Sequence, residues 1–294
     1  MPPIPPWRLG NGRELALDRP VVVGVLNVTP DSFSDGGAYG TVDAAVQRAA
    51  AMLGEGADVI DVGGESTRPQ GATPVDAGEE RRRVEPVIRA IVQRFPDVAI
   101  SVDTVKSDVA RAAIDAGAVI VNDVSALRLD PSMAHAVSAS RAGVVLMHSR
   151  GTVEDMATYA HAQYADVVEE VIAELRERLD VAHAAGIARE SIVVDPGVGF
   201  AKRAEHSLAM LHAVDRLAAL GYPVLVGASR KRFIGSITGV ERPAERVYGT
   251  VGAHVAALAR GARLFRVHDV AAARQSLDVA WAVLQAGQAP GAAA

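Results

Sequence analysis

The stretch VVVGVLNVTPDSFSDGG, residues 21–37, decides the fold. Its opening, VVVGV, is apolar and mostly β-branched, the composition of a strand buried on both faces as in a parallel sheet. At Asn27 the apolar run stops. A polar loop follows, with Thr29, Asp31, Ser32, Ser34 and Asp35 around the single aromatic Phe33. The same join recurs along the chain: an apolar run ends and a polar or charged residue stands at its C-terminal tip. It returns at Asp61, Asp103, Asn122, the pair Met147 and His148, Asp195, Ser229 and Arg266.

Eight such joins, each followed by a helical segment, describe one α/β domain, a single (β/α)8 TIM barrel with one functional face. An open doubly wound sheet is the alternative. It is weakened because the chain contains neither G-x-G-x-x-G nor G-x-x-x-x-G-K-[ST]. Strands are expected at residues 21–25, 58–62, 98–103, 119–123, 144–147, 191–195, 224–227 and 263–267. Helices are expected at about residues 42–55, 77–94 and 105–117. Another opens at Asp130, a long one runs up to Ala185, and one ends before Gly221. Two pieces then split near Gly239, and a last helix covers about residues 270–285. The segment 1–20, with a small hairpin around Gly10-Asn11-Gly12, is expected to cap the bottom of the barrel formed by residues 21–286. The tail, 287–294, reads as disordered. Two long loops stand out, GGESTRPQGATPV (63–75) and the one from residue 148 to 159, and loops of that length in compact domains are usually functional.

Composition narrows the function classes. The chain has 294 residues, 49% of them hydrophobic, enough for a large core. A net charge of −5 with no basic stripe argues against nucleic acid or a membrane surface as partner. Zero cysteines exclude disulfides and thiolate metal sites. No apolar run approaches the ~20 residues of a membrane span. The start, MPPIPPWRLGNG, has no apolar signal core, so a soluble cytoplasmic protein is expected.

In a barrel, chemistry is sought at the strand tips. Any one polar tip residue is as readily a helix N-cap or a turn, and Asp61 and Asp123 fit that bland role. Asp103, Asn122 and Asp195 are harder to dismiss, because each is a hydrogen-bonding group at the end of an apolar strand. Together they suit a flat heterocycle with ring N–H donors and a carbonyl. A second group is cationic: Arg68 in the long loop, Arg230, Lys231 and Arg232 in GASRKRF, and Arg266 and His268 in FRVHD. Ser229 reads as an N-cap, which puts Arg230 to Arg232 in a first helical turn, where cations oppose the helix dipole. A solvated face is one reading, and a bound anion the other. Asn27 beside that anion would help ligate Mg²⁺ through an oxygen. His161, His183, His206 and His212 fall in expected helices, without a chemical role. These residues give a small molecule with a planar polar head and an anionic end, but not the reaction.

The motifs NVTPDSFSDGG, GGESTRPQGA, ISVDT, ND, LMH, DPGVGF, GASRKRFIG and FRVHDV, in this order from residue 21 to the last helix, resemble those of the dihydropteroate synthase family. The resemblance implies a transferase of an alkyl group other than methyl. It would join 4-aminobenzoate to 7,8-dihydropterin-6-ylmethyl diphosphate, releasing pyrophosphate, in folate biosynthesis. It also implies a homodimer through the last helices, a Mg²⁺ cofactor and sensitivity to sulfonamides. Carried over by motif, Asp103, Asn122, Asp195 and Lys231 hold the pterin, and Met147, Phe200 and Gly227 line its pocket. Arg266 covers the pterin face and, with Asn27, Arg68 and His268, engages the diphosphate and the metal. Phe33, Thr67, Pro69 and Ser229 form the aminobenzoate site. The catalytic set is then Asp103, Asp195, Lys231, Arg266 and His268. Two departures are visible: Gln70 is one extra residue in the second loop, and Ser149 stands where methionine is common. A pterin-dependent methyltransferase would need the pterin tips but not SRK, RVHD or the first loop. A non-catalytic pterin binder would tolerate loss of that loop or of Arg68.

Overall fold

A computed structural model describes residues 4–28, 37–65 and 75–286, with the side chains of 37–41 left aside. Eight parallel strands run β1 Val21–Asn27, β2 Val59–Gly63, β3 Ala99–Asp103, β4 Ile120–Asp123, β5 Gly143–Met147, β6 Ile192–Asp195, β7 Leu225–Val226 and β8 Leu264–Val267. Neighbours in sequence pair from β1 to β6 and from β7 to β8, and β8 pairs with β1 through Leu264 opposite Val21. A single bridge, Val194 to Val224, joins β6 to the start of β7 and closes the ring. The TIM barrel expected from the sequence is the fold found. β7 is the shortest strand because Gly227 leaves the ladder.

The helices are α1 Gly37–Gly54, α2 Ala77–Arg94, α3 Ser107–Asp115, α4 Met133–Ser140, α5 Val167–Ala184, α6 Ala204–His212, α7 Val214–Ala218, α8 Arg232–Thr238, α9 Val247–Ala259 and α10 Val270–Ala286. Local chemistry fixes several ends. Asp76 caps α2 by accepting from the Glu79 N–H at 2.8 Å, and Asp166 caps α5 by accepting from Val168 and Glu169. Helix α5 starts later than the loop reading implied. His161 therefore lies in a turn and pairs with Asp155 at 2.7 Å, rather than in a helix. The helix expected before Gly221 is two pieces, α6 and α7, broken at Ala213.

The period of two along each strand divides the apolar residues into two bodies. Outward residues such as Val22, Ile60, Ile100, Val121, Val144, Val194 and Phe265 pack under the helices in one large core. Inward residues such as Val21, Val23, Val59, Ala99, Ile120, Val145, Val193, Leu225 and Leu264 meet inside the barrel. Trp7 and Leu9 enter that inner cluster from the hairpin formed by Trp7–Arg8 and Glu14–Leu15. The indole N–H of Trp7 donates to the Ser191 carbonyl at 2.9 Å. No described helix is long and apolar enough to cross a membrane.

Candidate active site

The register of the strands assembles the site. Asn27 pairs with Gly63, Gly63 with Asp103 and Asp103 with Asn122, one continuous row across four strand ends. On the far side Met147 pairs with Asp195. Asp61, Asp103, Asn122, Asp195 and Arg266 all share the inward parity of their strands. Asp123, one residue past Asn122, has the outward parity and takes the bland role: its carboxylate accepts from Ser125 N–H and Leu127 N–H at 2.8 Å and closes a turn.

Asp61 departs from the turn or cap role allowed by its sequence. Its Oδ2 accepts from Arg266 Nε at 2.6 Å and from the Asn122 amide at 3.3 Å. The other arm of Arg266 donates to Asp103 Oδ2 at 2.6 Å. The guanidinium is thus clamped between two carboxylates, which hold it charged despite burial. Burial raises Asp103 well above the ordinary carboxylate range, although Arg266 pulls the other way. Below this clamp is a cavity of about 10 Å³ bordered by Trp7, Asp61, Ser101 and Asn122. Asp61 Oδ1 has no hydrogen-bond partner among the described residues. A period-two count along β2, Val59-Asp61-Gly63, would have revealed the inward aspartate.

Asp195 is buried at 4% exposure, and that burial pushes its carboxyl up to about 6. Its Oδ1 accepts from the Gly197 N–H at 2.7 Å. The turn after it carries Phe200, whose ring lies 4.0 Å beneath the ammonium of Lys231. Burial, and then the neighbouring Arg266 charge, lower Lys231 to about 8. Met147 and Phe200 share a small apolar cluster with Val105, Val124 and Met156. Gly227 keeps the wall open between the two acid clusters: a Cβ there would sit 3.8 Å from Arg266 Cβ and 4.0 Å from Asp195 Oδ2.

The cationic run is rearranged relative to expectation. Ser229 does not cap a helix. Arg230 adopts φ 60°, the chain turns, and α8 begins at Arg232 with Lys231 as its N-cap residue. Arg230 Nε pairs with Asp269 at 2.9 Å, and Arg232 donates to the Ala157 carbonyl at 2.7 Å, so only Lys231 reaches Phe200. Ser229 Oγ instead meets His268 Nδ1 at 3.0 Å and accepts from the His268 N–H at 3.2 Å. His268 is not a cation: burial, then the charges of Arg266 and Arg230, lower it to about 3. The sequence offered no signal for His254, which is buried on α9 and accepts from the Ala228 N–H at 3.3 Å.

Phe33, Thr67, Arg68, Pro69 and Gln70 lie outside the described residues. The base of the second loop is fixed: Glu65 Oε1 accepts from the Val75 N–H at 2.7 Å, and Lys106 bridges Glu65 and Glu80 at 2.8 and 2.6 Å. Among the described residues no group of three or more His, Cys, Asp or Glu could hold a metal ion. Asn27 Oδ1 and Asp103 Oδ2 do border one space, although Asp103 Oδ2 is held by Arg266. A Cβ at Gly63 would lie 3.9 Å from Asn27 Oδ1 and 3.7 Å from Asp103 Oδ2, in ordinary contact with both.

A row of acceptors facing a lysine over an aromatic ring suits a flat ligand rich in N–H groups, and comparison with known proteins agrees. A profile of the family described as pterin binding enzyme matches residues 23–268. The chain is 47% identical over 271 residues to the dihydropteroate synthase of Mycobacterium leprae, covering 90% of this chain and 94% of that one. It superposes with a TM-score of 0.87 on the Xanthomonas albilineans dihydropteroate synthase solved with 4-aminobenzoic acid, at 49% identity over 96% of this chain and 99% of that chain. The same enzyme in complex with 7,8-dihydropteroate gives a TM-score of 0.85 at 47% identity, over 97% and 100% of the two chains. With a family profile over most of its length and relatives this similar from end to end, the chain belongs to the dihydropteroate synthase family of pterin-binding enzymes.

Proposed function

We propose that this protein condenses 7,8-dihydropterin-6-ylmethyl diphosphate with 4-aminobenzoate to give 7,8-dihydropteroate and pyrophosphate, a step of folate biosynthesis. The observation that carries the reading is the acceptor set Asp103, Asn122 and Asp195 in front of the Lys231–Phe200 stack. Carboxylates accept from ring N–H pairs, the Asn122 amide serves both roles, and Lys231 donates to a ring acceptor. Met147, Phe200 and Gly227 form apolar walls. Arg266 lies across the face of the ring, and pterin binding draws one of its two carboxylate partners toward the ligand.

The chemistry follows from the charges. The bond between the pterin methylene and the diphosphate oxygen breaks, and its electron pair leaves with pyrophosphate. Asn27, Arg68, Arg266 and neutral His268 are assigned to that leaving group, with His268 as a hydrogen-bonding group rather than a charge. Asp103 and Asp195 offset the positive charge spread from the methylene into the ring. The aminobenzoate nitrogen then attacks the methylene and loses its proton to solvent. Phe33, Thr67, Pro69 and Ser229 are assigned to its ring and carboxylate. Asn27, through its amide oxygen, would be the residue that holds Mg²⁺, which when bound would supply charge neutralisation of the leaving group.

A homodimer fits the exposed face of α9 and α10. A groove of about 800 Å³ there is lined by Val247, Val251, Val255, Val279 and Val283. Tyr248, Val279 and Val283 are 90%, 66% and 67% exposed, an apolar patch of the kind that marks an interface. The catalytic unit is residues 21–286, with 1–20 as its cap. The absence of cysteine fits the reducing cytoplasm.

The test is pyrophosphate release from the dihydropterin diphosphate with Mg²⁺. Release that depends on 4-aminobenzoate and yields dihydropteroate supports the assignment. Binding of the two substrates without pyrophosphate release, or release that forms no dihydropteroate, refutes it.

A further inference from the structure

A lysine outside this site is as buried as any apolar residue. Lys202, in the turn after β6, is 1% exposed. Its Nζ donates to His148 Nδ1 at 2.8 Å and to the Phe200 carbonyl at 3.2 Å. His148 Nε2 lies 3.0 Å from Glu174 Oε2 on α5. A neutral His148 with its proton on Nε2 satisfies both contacts, and burial, with the Lys202 charge second, lowers His148 to about 4. The chain Glu174–His148–Lys202 thus ends in an ammonium lodged under the turn that carries Asp195 and Phe200.

Packing leaves that turn little freedom. The His148 N–H donates to the Asp195 carbonyl at 2.9 Å. A Cβ on Gly197, at φ 65°, would lie 1.9 Å from the His148 carbonyl and 3.5 Å from Lys202 Nζ. The groups facing Lys202 come from every neighbouring element: His148 from β5, Arg150 and the Tyr164 ring (6.0 Å) from the following segment, Glu174 from α5, Asp195 from β6 and Lys231 before α8. Asp195 therefore feels three cations, Lys231 at the pocket wall, Lys202 beneath and Arg266 from β8.

We propose that Lys202 is a positioning residue of the pterin pocket: its ammonium ties the turn bearing Phe200 to the end of β5 and supplies a countercharge to Asp195. The proposal rests on the reading of Asp195 as a pterin ligand. Burial also lowers Lys202 itself to about 7, so the countercharge fades above neutrality. Lys202→Met removes the charge and the hydrogen bonds, whereas Lys202→Gln removes the charge and keeps N–H donors. The pH-dependent weakening common to both therefore reports the countercharge, and any extra weakening in Lys202→Met reports the tie to the turn.

The experiment is calorimetric titration of wild type and both variants with 6-hydroxymethyl-7,8-dihydropterin at pH 6.0 and pH 8.5, alongside thermal melts. Loss of a buried neighbouring charge moves a carboxylate by about one pKa unit, which at pH 6.0 lowers the ionised fraction of Asp195 from about one half to about one eleventh, so both variants should bind about fivefold more weakly at pH 6.0. At pH 8.5, where wild-type Lys202 is largely neutral and Asp195 is ionised in every variant, the difference should shrink below about 1.5-fold. Equal weakening at both pH values, or none at either, overturns the proposal. If Lys202→Met does not fold, Lys202→Gln decides alone. The titration needs no turnover: pterin binding without pyrophosphate release would sink the proposed reaction and leave this proposal standing.

Discussion

At their N-terminal ends the eight strands meet Trp7, Leu9 and Leu17; at their C-terminal ends they meet Asp61, Asp103, Asn122, Asp195, Lys231 and Arg266. The first mouth is closed by apolar contact and by a few hydrogen bonds from the cap to carbonyls at the strand starts, among them the Trp7 indole to Ser191, the Gly10 N–H to Val119 and Arg13 to Val98. The second is filled by buried charges that compensate each other only partly, as the raised Asp103 and Asp195 and the lowered Lys231 record. The contrast teaches that one backbone framework separates its tasks by end. Apolar burial at one mouth stabilises the ring. Buried acids and amines at the other keep unsatisfied electrostatic demand that a ligand can meet.

The strongest way to break the contrast is at Asp195. Asp195→Ala should cut kcat/KM by about 10³-fold, roughly 4 kcal/mol of transition-state stabilisation, and leave the far-UV circular dichroism unchanged. Activity within tenfold of wild type would remove Asp195 from the site. The opposite mouth is probed by Trp7→Ala, which should cost about 3–5 kcal/mol of stability through the cavity it opens. Folded molecules assayed at low temperature should keep kcat/KM within about twofold, because cavity costs stay local when no partner is shared. A large kinetic defect would show that the two mouths are coupled.

Gly197 blurs the division, since it serves both packing and the site. Gly197→Ala places a methyl against the His148 carbonyl at a left-handed φ. It should lower Tm by several degrees, the equivalent of about 2–3 kcal/mol, and weaken pterin binding together with it. A variant that loses stability alone would show the turn to be irrelevant to the ligand.

The gentlest probe is pH. Burial raises Asp195 from 3.8 to about 6, and only the ionised carboxylate accepts from ring N–H groups. Pterin binding should therefore be present above pH 6 and fall about fourfold between pH 7.5 and 5.5. Stability runs the other way. The folded state of the ligand-free protein holds this proton more tightly than the unfolded chain, so the contribution is present below pH 4 and is lost as pH rises through 6. Opposed slopes in a binding titration and in melts of wild type against Asp195→Asn would sharpen the contrast; parallel slopes would contradict it.

The barrel was legible because its signal is repeated. Buried strands such as SIVVD and VAISVD show apolar runs with a polar last residue, and eight repeats outweigh the uncertainty in any one boundary. The acceptors were legible for the same reason. What the sequence concealed was direction. GASRKRF reads as one cationic block, yet the positive φ at Arg230 turns its three cations to an aspartate, a phenylalanine ring and a carbonyl. Asp61 resembled a cap because only its parity, not its composition, distinguishes it from Asp123. Lys202 gives no local sign at all: its partners, His148 and Glu174, are 54 and 28 positions away and meet it only through the ring of strands. The state of His268 was likewise hidden, since its neutrality comes first from burial, which only the fold creates, and then from the charges of Arg266 and Arg230.

The pairing of β8 with β1 has a consequence in time. One edge of Val21–Asn27 is covered by β2 soon after it is made, but the other waits for Leu264–Val267, about 240 residues later. At synthesis rates of ~5–20 residues per second, that edge stays open for roughly 12–50 s on the ribosome. An unpaired, β-branched edge exposed that long invites pairing with another nascent chain. Chains stalled short of Leu264 should remain protease-sensitive, and nascent-chain proteolysis would show protection arriving only when the last strand emerges. The final segment to be translated is thus the one that seals the first.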